Sequence, residues 1–180
     1  MLKSNLLIKI NNGEPLWETD RFIYLLAMNV SSVPNHIALV FNGKYYDLGF
    51  KKKNVGADFL EILSKLKRKN IPTLVFECRI PINLDIHSML QAVFSVKNNI
   101  NSSDHTCLNP VNEVFEKIYS KKINSNVIFD LVESLFATNA ITNTFSLHLN
   151  LDFEGTFHWN KYSYSDLKMY LENQLSVKHA

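Results

Sequence analysis

Glycine is scarce in this chain, with five in 180 residues, and that leaves little material for a glycine-rich phosphate loop; none is present. A Gly-x-Ser-x-Gly nucleophile elbow is missing too. Cysteine occurs twice, as Cys78 and Cys107, too few for a disulfide framework at this length, so reduced thiols in a cytosol-like compartment are expected. The six histidines include no His-x-x-x-His or His-Glu-x-x-His pair, and there is no Cys-x-x-Cys, so neither a metal site nor an organic cofactor is expected. Charge of one sign is not in excess either. Nineteen Lys and Arg against seventeen Asp and Glu leave a net +2, and nothing demands a nucleic-acid partner. The densest basic runs are KKK at 51–53 and KLKRK at 65–69, the second suiting the negative end of a helix dipole. No apolar run approaches the roughly eighteen residues of a membrane span, so no integral membrane segment is expected. The first residues, MLKSNLLIKINNGE, lack the apolar core of an export signal, which favours a cytoplasmic location, or a host-cell interior for a viral or pathogen product.

What is present is a core. Hydrophobic residues make up 46% of the chain, with few breakers, as expected of one globular domain over 1–180. Residues 5–10 read as a strand, and the apolar run from Asp20 fits buried helix or strand equally. Phe59, Ile62, Leu63 and Leu66 recur at helical spacing, and PTLVFECRI is strand-like, with Cys78 a buried structural thiol. Asn83 suits the cap of a helix facing inward through Ile86, Met89, Leu90 and Val93. Val111, Val114, Phe115 and Ile118 mark another helix, and Val127, Ile128, Leu131, Val132 and Leu135 a third. TFSLHLNLDF alternates through Phe145, Leu147, Leu149, Leu151 and Phe153, predicting a long half-buried strand that turns at Glu154-Gly155 into TFHWNKY; a last helix follows. An α+β fold results, an antiparallel sheet packed against helices.

The stretch NHIALVFNGKYYDLG, 35–49, contains more than a hairpin. A two-residue Asn42-Gly43 turn of type I′ fixes register, so Phe41 faces Lys44, Val40 faces Tyr45 and Ala38 faces Asp47. Ile37, Leu39, Phe41, Tyr46 and Leu48 share one apolar side; His36 and Asp47 are diagonal neighbours on the other. A carboxylate bonded to one imidazole nitrogen fixes the tautomer and steadies the imidazolium. Cys107 is the candidate nucleophile, in polar sequence before a helix whose positive end favours thiolate. Pro110 suits the first helical position with Asn109 as its cap, which places Cys107 just outside that helix.

A histidine opening a strand, a polar residue on the return strand and a later cysteine before a helix resemble the permuted papain-like group, which includes NlpC-like hydrolases and lecithin retinol acyltransferase-like proteins. The resemblance spans residues 35–120. It implies His36 as base, Asp47 as its orienting partner and Cys107 as nucleophile, attacking an amide, ester or thioester carbonyl through an acyl-enzyme. Substrates would be proteins or peptides, cell-wall peptides included, or a lipid ester. The competing reading is a non-catalytic interaction module, docking through the hairpin and the aromatics of FHWNKYSY at 157–164, although burial of those rings is the simpler expectation. His148 and His158 read as solvated or capping residues. His105 would raise the local positive potential beside Cys107, and Asp104 would turn the backbone.

Overall fold

The computed structural model describes residues 5–49, 52–81, 84–97 and 106–177. In chain order the elements are β1 (Asn5–Lys9), β2 (Phe22–Met28), β3 (His36–Phe41), β4 (Lys44–Leu48), β5 (Lys53–Asp58), α1 (Phe59–Arg68), β6 (Thr73–Arg79), α2 (Ile86–Val96), α3 (Leu108–Tyr119), α4 (Ile128–Ala137), β7 (Ile141–Leu147), β8 (Thr156–Asn160) and α5 (Tyr164–Val177). Six strands form an antiparallel sheet in the order β5-β4-β3-β2-β6-β7, and β1 pairs with β8 in a separate ribbon. The fold is therefore α+β, with an antiparallel sheet and five helices among the described residues.

The run from Asp20 resolves as a strand. β2 is buried almost throughout because it lies inside the sheet and both faces are covered. One face, through Ile37, Leu39, Phe41 and Tyr46, joins the core built with α2, α3, α4, α5 and Trp159 of the ribbon. The other, through Tyr24, Leu26, Ala38, Val40 and Tyr45, packs on Phe59, Leu63 and Leu66 of α1. The hairpin turn is as expected: Asn42 and Gly43 have φ of 45° and 69°, and Ala38 pairs with Asp47, Val40 with Tyr45 and Phe41 with Lys44.

Several expectations change. The alternation of residues 144–153 does not make a ten-residue strand. β7 ends at Leu147, paired with Thr73 at the very start of β6, and Pro72 before it has no N–H to extend the ladder. His148 then turns with φ of 54°, and Phe153 is 98% exposed. TFHWN does not return along β7 but pairs with β1. Asp85 caps α2 by accepting from the Ser88 amide at 3.0 Å; Asn83 lies outside the described residues. β5 was not anticipated. It runs along β4 past a bulge at Tyr45/Tyr46, and Gly56 is required there: its φ is 76°, and a Cβ would stand 2.9 Å from Gln91 Nε2. The basic runs have structural uses. Lys65, Lys67 and Arg68 close α1, and Lys53 donates to the Ser95 and Lys97 carbonyls at 2.8 and 2.9 Å, satisfying the end of α2.

Candidate active site

His36 begins β3 and Asp47 lies near the end of β4, so the hairpin register brings them side by side: His36 Nε2 is 2.8 Å from Asp47 Oδ2. Neither stands on a solvated face. Asp47 is 7% exposed, and the His36 side chain is 36% exposed. Three more donors hold the carboxylate. Tyr45 Oη donates to Oδ2 at 3.0 Å, while the Asn54 backbone amide and Nδ2 donate to Oδ1 at 3.0 and 2.7 Å. Burial alone would raise the Asp47 carboxyl; the hydrogen bond and charge of His36, with Asn54 and Tyr45, outweigh it and hold the group below its ordinary 3.8. Burial and the adjacent carboxylate keep the Tyr45 phenol well above its usual range, hence a donor.

Cys107 stands at the mouth of α3 and is half-buried. The helix starts earlier than Pro110 suggested: Cys107 itself occupies the cap position and Pro110 the third helical place, tolerated because a first-turn N–H has no helical partner. Asn109 is not the cap. Its Oδ1 accepts from Thr106 N at 2.6 Å and Oγ1 at 3.0 Å, while Thr106 Oγ1 accepts from the Leu108 amide at 3.2 Å. These bonds fix the turn on both sides of Cys107, whose own side chain caps nothing. Cys107 instead lines one cavity with His36, whose ring feels the nearby sulfur. Burial disfavours the charged ring, but the bonds to Asp47 and Cys107 and the negative charge beside it prevail, and His36 is pushed up from 6.5 to about 10.

A cavity of about 270 Å³ opens beside the pair, lined by His36 and Cys107 and by residues of the 29–35 loop, α4 and α5. Of the remaining candidates, those among the described residues lie elsewhere. Cys78 is fully buried, and burial pushes its thiol up. His158 is exposed and 3.2 Å from Asp152. Asp104 and His105 fall outside the described residues. Trp159 is wholly buried and Tyr162 9% exposed, so these two rings belong to the core and not to a docking face. Among the described residues no group of three or more His, Cys, Asp or Glu is placed to hold a metal ion, and no helix is long and apolar enough to cross a membrane.

The structure brings Cys107, His36 and Asp47 to one place and sets beside them Tyr45, Asn54 and Thr106, to which no sequence expectation pointed. Tyr45 was legible, two positions from Asp47 on the same strand and hence on its side of the sheet. Asn54 was not, because it depends on β5 joining the edge. Compared with known protein families, curated proteins and solved structures, the chain shows no significant match.

Proposed function

We propose that the protein is a cysteine-dependent hydrolase or acyltransferase of the permuted papain-like kind, with Cys107 as nucleophile, His36 as proton carrier and Asp47 as the residue that orients His36. The observation that carries this reading is that Cys107 and His36 line one open cavity, with the imidazole Nε2 already bound to Asp47. With Nε2 engaged, Nδ1 is the ring atom left for the sulfur.

In the first half-reaction the proton already rests on His36, and the Cys107 sulfur attacks the carbonyl carbon of an amide, ester or thioester. A C–S bond forms and the carbonyl electrons move to oxygen, where backbone amides at the mouth of α3 stabilise the charge. Collapse breaks the bond to the leaving group, which departs with the proton from His36. In the second half-reaction a water or amine gives its proton to His36 and attacks the thioester. The C–S bond breaks, and His36 keeps the proton beside the freed sulfur. Asp47, held by four donors, keeps the ring aligned throughout.

The test is thiol chemistry on the intact chain. Iodoacetamide near neutral pH should alkylate Cys107 far faster in the protein than in His36→Ala, whose fold is checked by circular dichroism. Equally slow labelling of Cys107 in the two proteins rejects the proposal.

A further inference from the structure

The cavity beside Cys107 is divided in character. Val33, Leu108, Val127, Ile128, Leu167 and Leu171 give it hydrocarbon walls, and no Asp, Glu, Lys or Arg lines it. At about 270 Å³ it lies just under the usual range of small-ligand sites, room for one apolar group and not for a long lipid. The loop 29–35 supplies a polar side through Asn29, Ser32 and Asn35. Of these, Asn35 is 3% exposed and immediately precedes His36. Its Nδ2 donates to the carbonyls of Asn29 and Ser32 at 3.2 and 2.9 Å, which fixes the orientation of the amide. What remains is Oδ1, a buried acceptor without a partner. An acceptor left so is costly, and such a group needs a reason.

We propose that the acyl part of the substrate is a peptide: an apolar side chain fills the hydrocarbon end of the cavity, and a backbone N–H of the same segment donates to Asn35 Oδ1. The inference rests on Cys107 being the nucleophile and names what that nucleophile attacks. Reaching Oδ1 asks the turn above it to ease outward, and the crest of that turn is open, with Ser32 exposed and Val33 41% exposed. A fatty acyl ester supplies the hydrocarbon but no donor, so it leaves Oδ1 unpaired in a site it has sealed from water. A lysyl or arginyl side chain meets no carboxylate in the lining.

Matched thioesters test this on the unmodified protein, since a thioester reacts at Cys107 without a difficult leaving group. N-acetyl-leucyl thioester should show kcat/KM about ten- to hundredfold above its N-methyl analogue and above 4-methylpentanoyl thioester, which lacks the nitrogen. N-acetyl-lysyl thioester should be poorer still. A folded Asn35→Ala variant should bring the leucyl to N-methyl ratio near one. Equal rates for N–H and N-methyl substrates, or a preference for octanoyl thioester, overturn the peptide inference while leaving a thiol acyl-transfer enzyme. If no thioester acylates Cys107 by mass spectrometry, the proposed function itself fails and this inference falls with it.

Discussion

Four donors converge on the Asp47 carboxylate, and two of them use the oxygen that does not face the imidazole. That division keeps Oδ2 aimed at His36 and lets the pair act through charge as well as position. The consequences for pH follow in sign. His36 is raised from 6.5 to about 10, so its contribution to stability is complete below 6.5 and is lost as pH climbs through about 10. Asp47 is lowered, so its contribution is present above 3.8 and is lost as pH falls through its depressed folded value. The melting-temperature gap between the protein and His36→Ala should therefore be widest between about 4 and 6.5 and narrow toward pH 10. In Asp47→Asn the ring loses its strongest support, and the His36 titration read from imidazole proton resonances should move from about 10 toward 6.5. A titration that stays in place in that variant would show that the carboxylate does not govern the ring.

At the scale of elements, what was legible was what local pattern decides. The hairpin, α1, α3 and α4 follow from turn chemistry and helical spacing, and the His36–Asp47 pair follows from the register of a two-residue loop. What was not legible depends on partners. Residues 149–153 alternate like a strand but have no opposite strand once β6 has begun, whereas KNVGAD shows no alternation and becomes a strand by pairing with β4. The mouth of α3 belongs to this second kind: Asn109 looks like a cap in sequence and serves as the acceptor for Thr106 in space. Thr106→Ala should then have two effects. Loss of the Leu108 and Asn109 bonds should cost about 0.5–2 kcal/mol in urea unfolding, and alkylation of Cys107 should slow several-fold, with Thr106→Ser restoring both. Asp58→Ala, which strips the cap of α1 on the face of the sheet opposite α3, should cost similar stability and leave the thiol unchanged. Slowing of Cys107 by both variants alike would mean that general loosening, not the local turn, sets its reactivity.

The whole molecule is two cores sharing one sheet, and its two tryptophans fall one in each. Trp17 packs on Tyr24 and Phe59 with ring centroids 5.0 and 4.5 Å away, on the α1 face. Trp159 packs on Phe129 at 4.7 Å and Phe76 at 6.1 Å, on the opposite face. The cores cannot melt separately, because the strands that line one also line the other: Leu25 belongs to the larger and its neighbour Leu26 to the smaller. Fully burying a side chain such as Phe59 or Leu63 contributes about 1.5–3 kcal/mol, while a domain's net stability is about 5–15 kcal/mol. Peeling α1 away would thus forfeit much of the total and leave a wet sheet face. Two single-tryptophan variants read this directly. Trp159→Phe leaves Trp17 as reporter, and its destabilisation is softened because the lost Nε1–H is buried without a partner. Trp17→Phe leaves Trp159. In each, the urea midpoint from fluorescence should coincide with the midpoint from far-ultraviolet circular dichroism of the same variant, as two-state unfolding demands. If Trp17 reports an earlier transition than the helical signal of its own variant, α1 and its core unfold on their own, and the hairpin carrying His36 and Asp47 loses the support on that side before the rest of the molecule does.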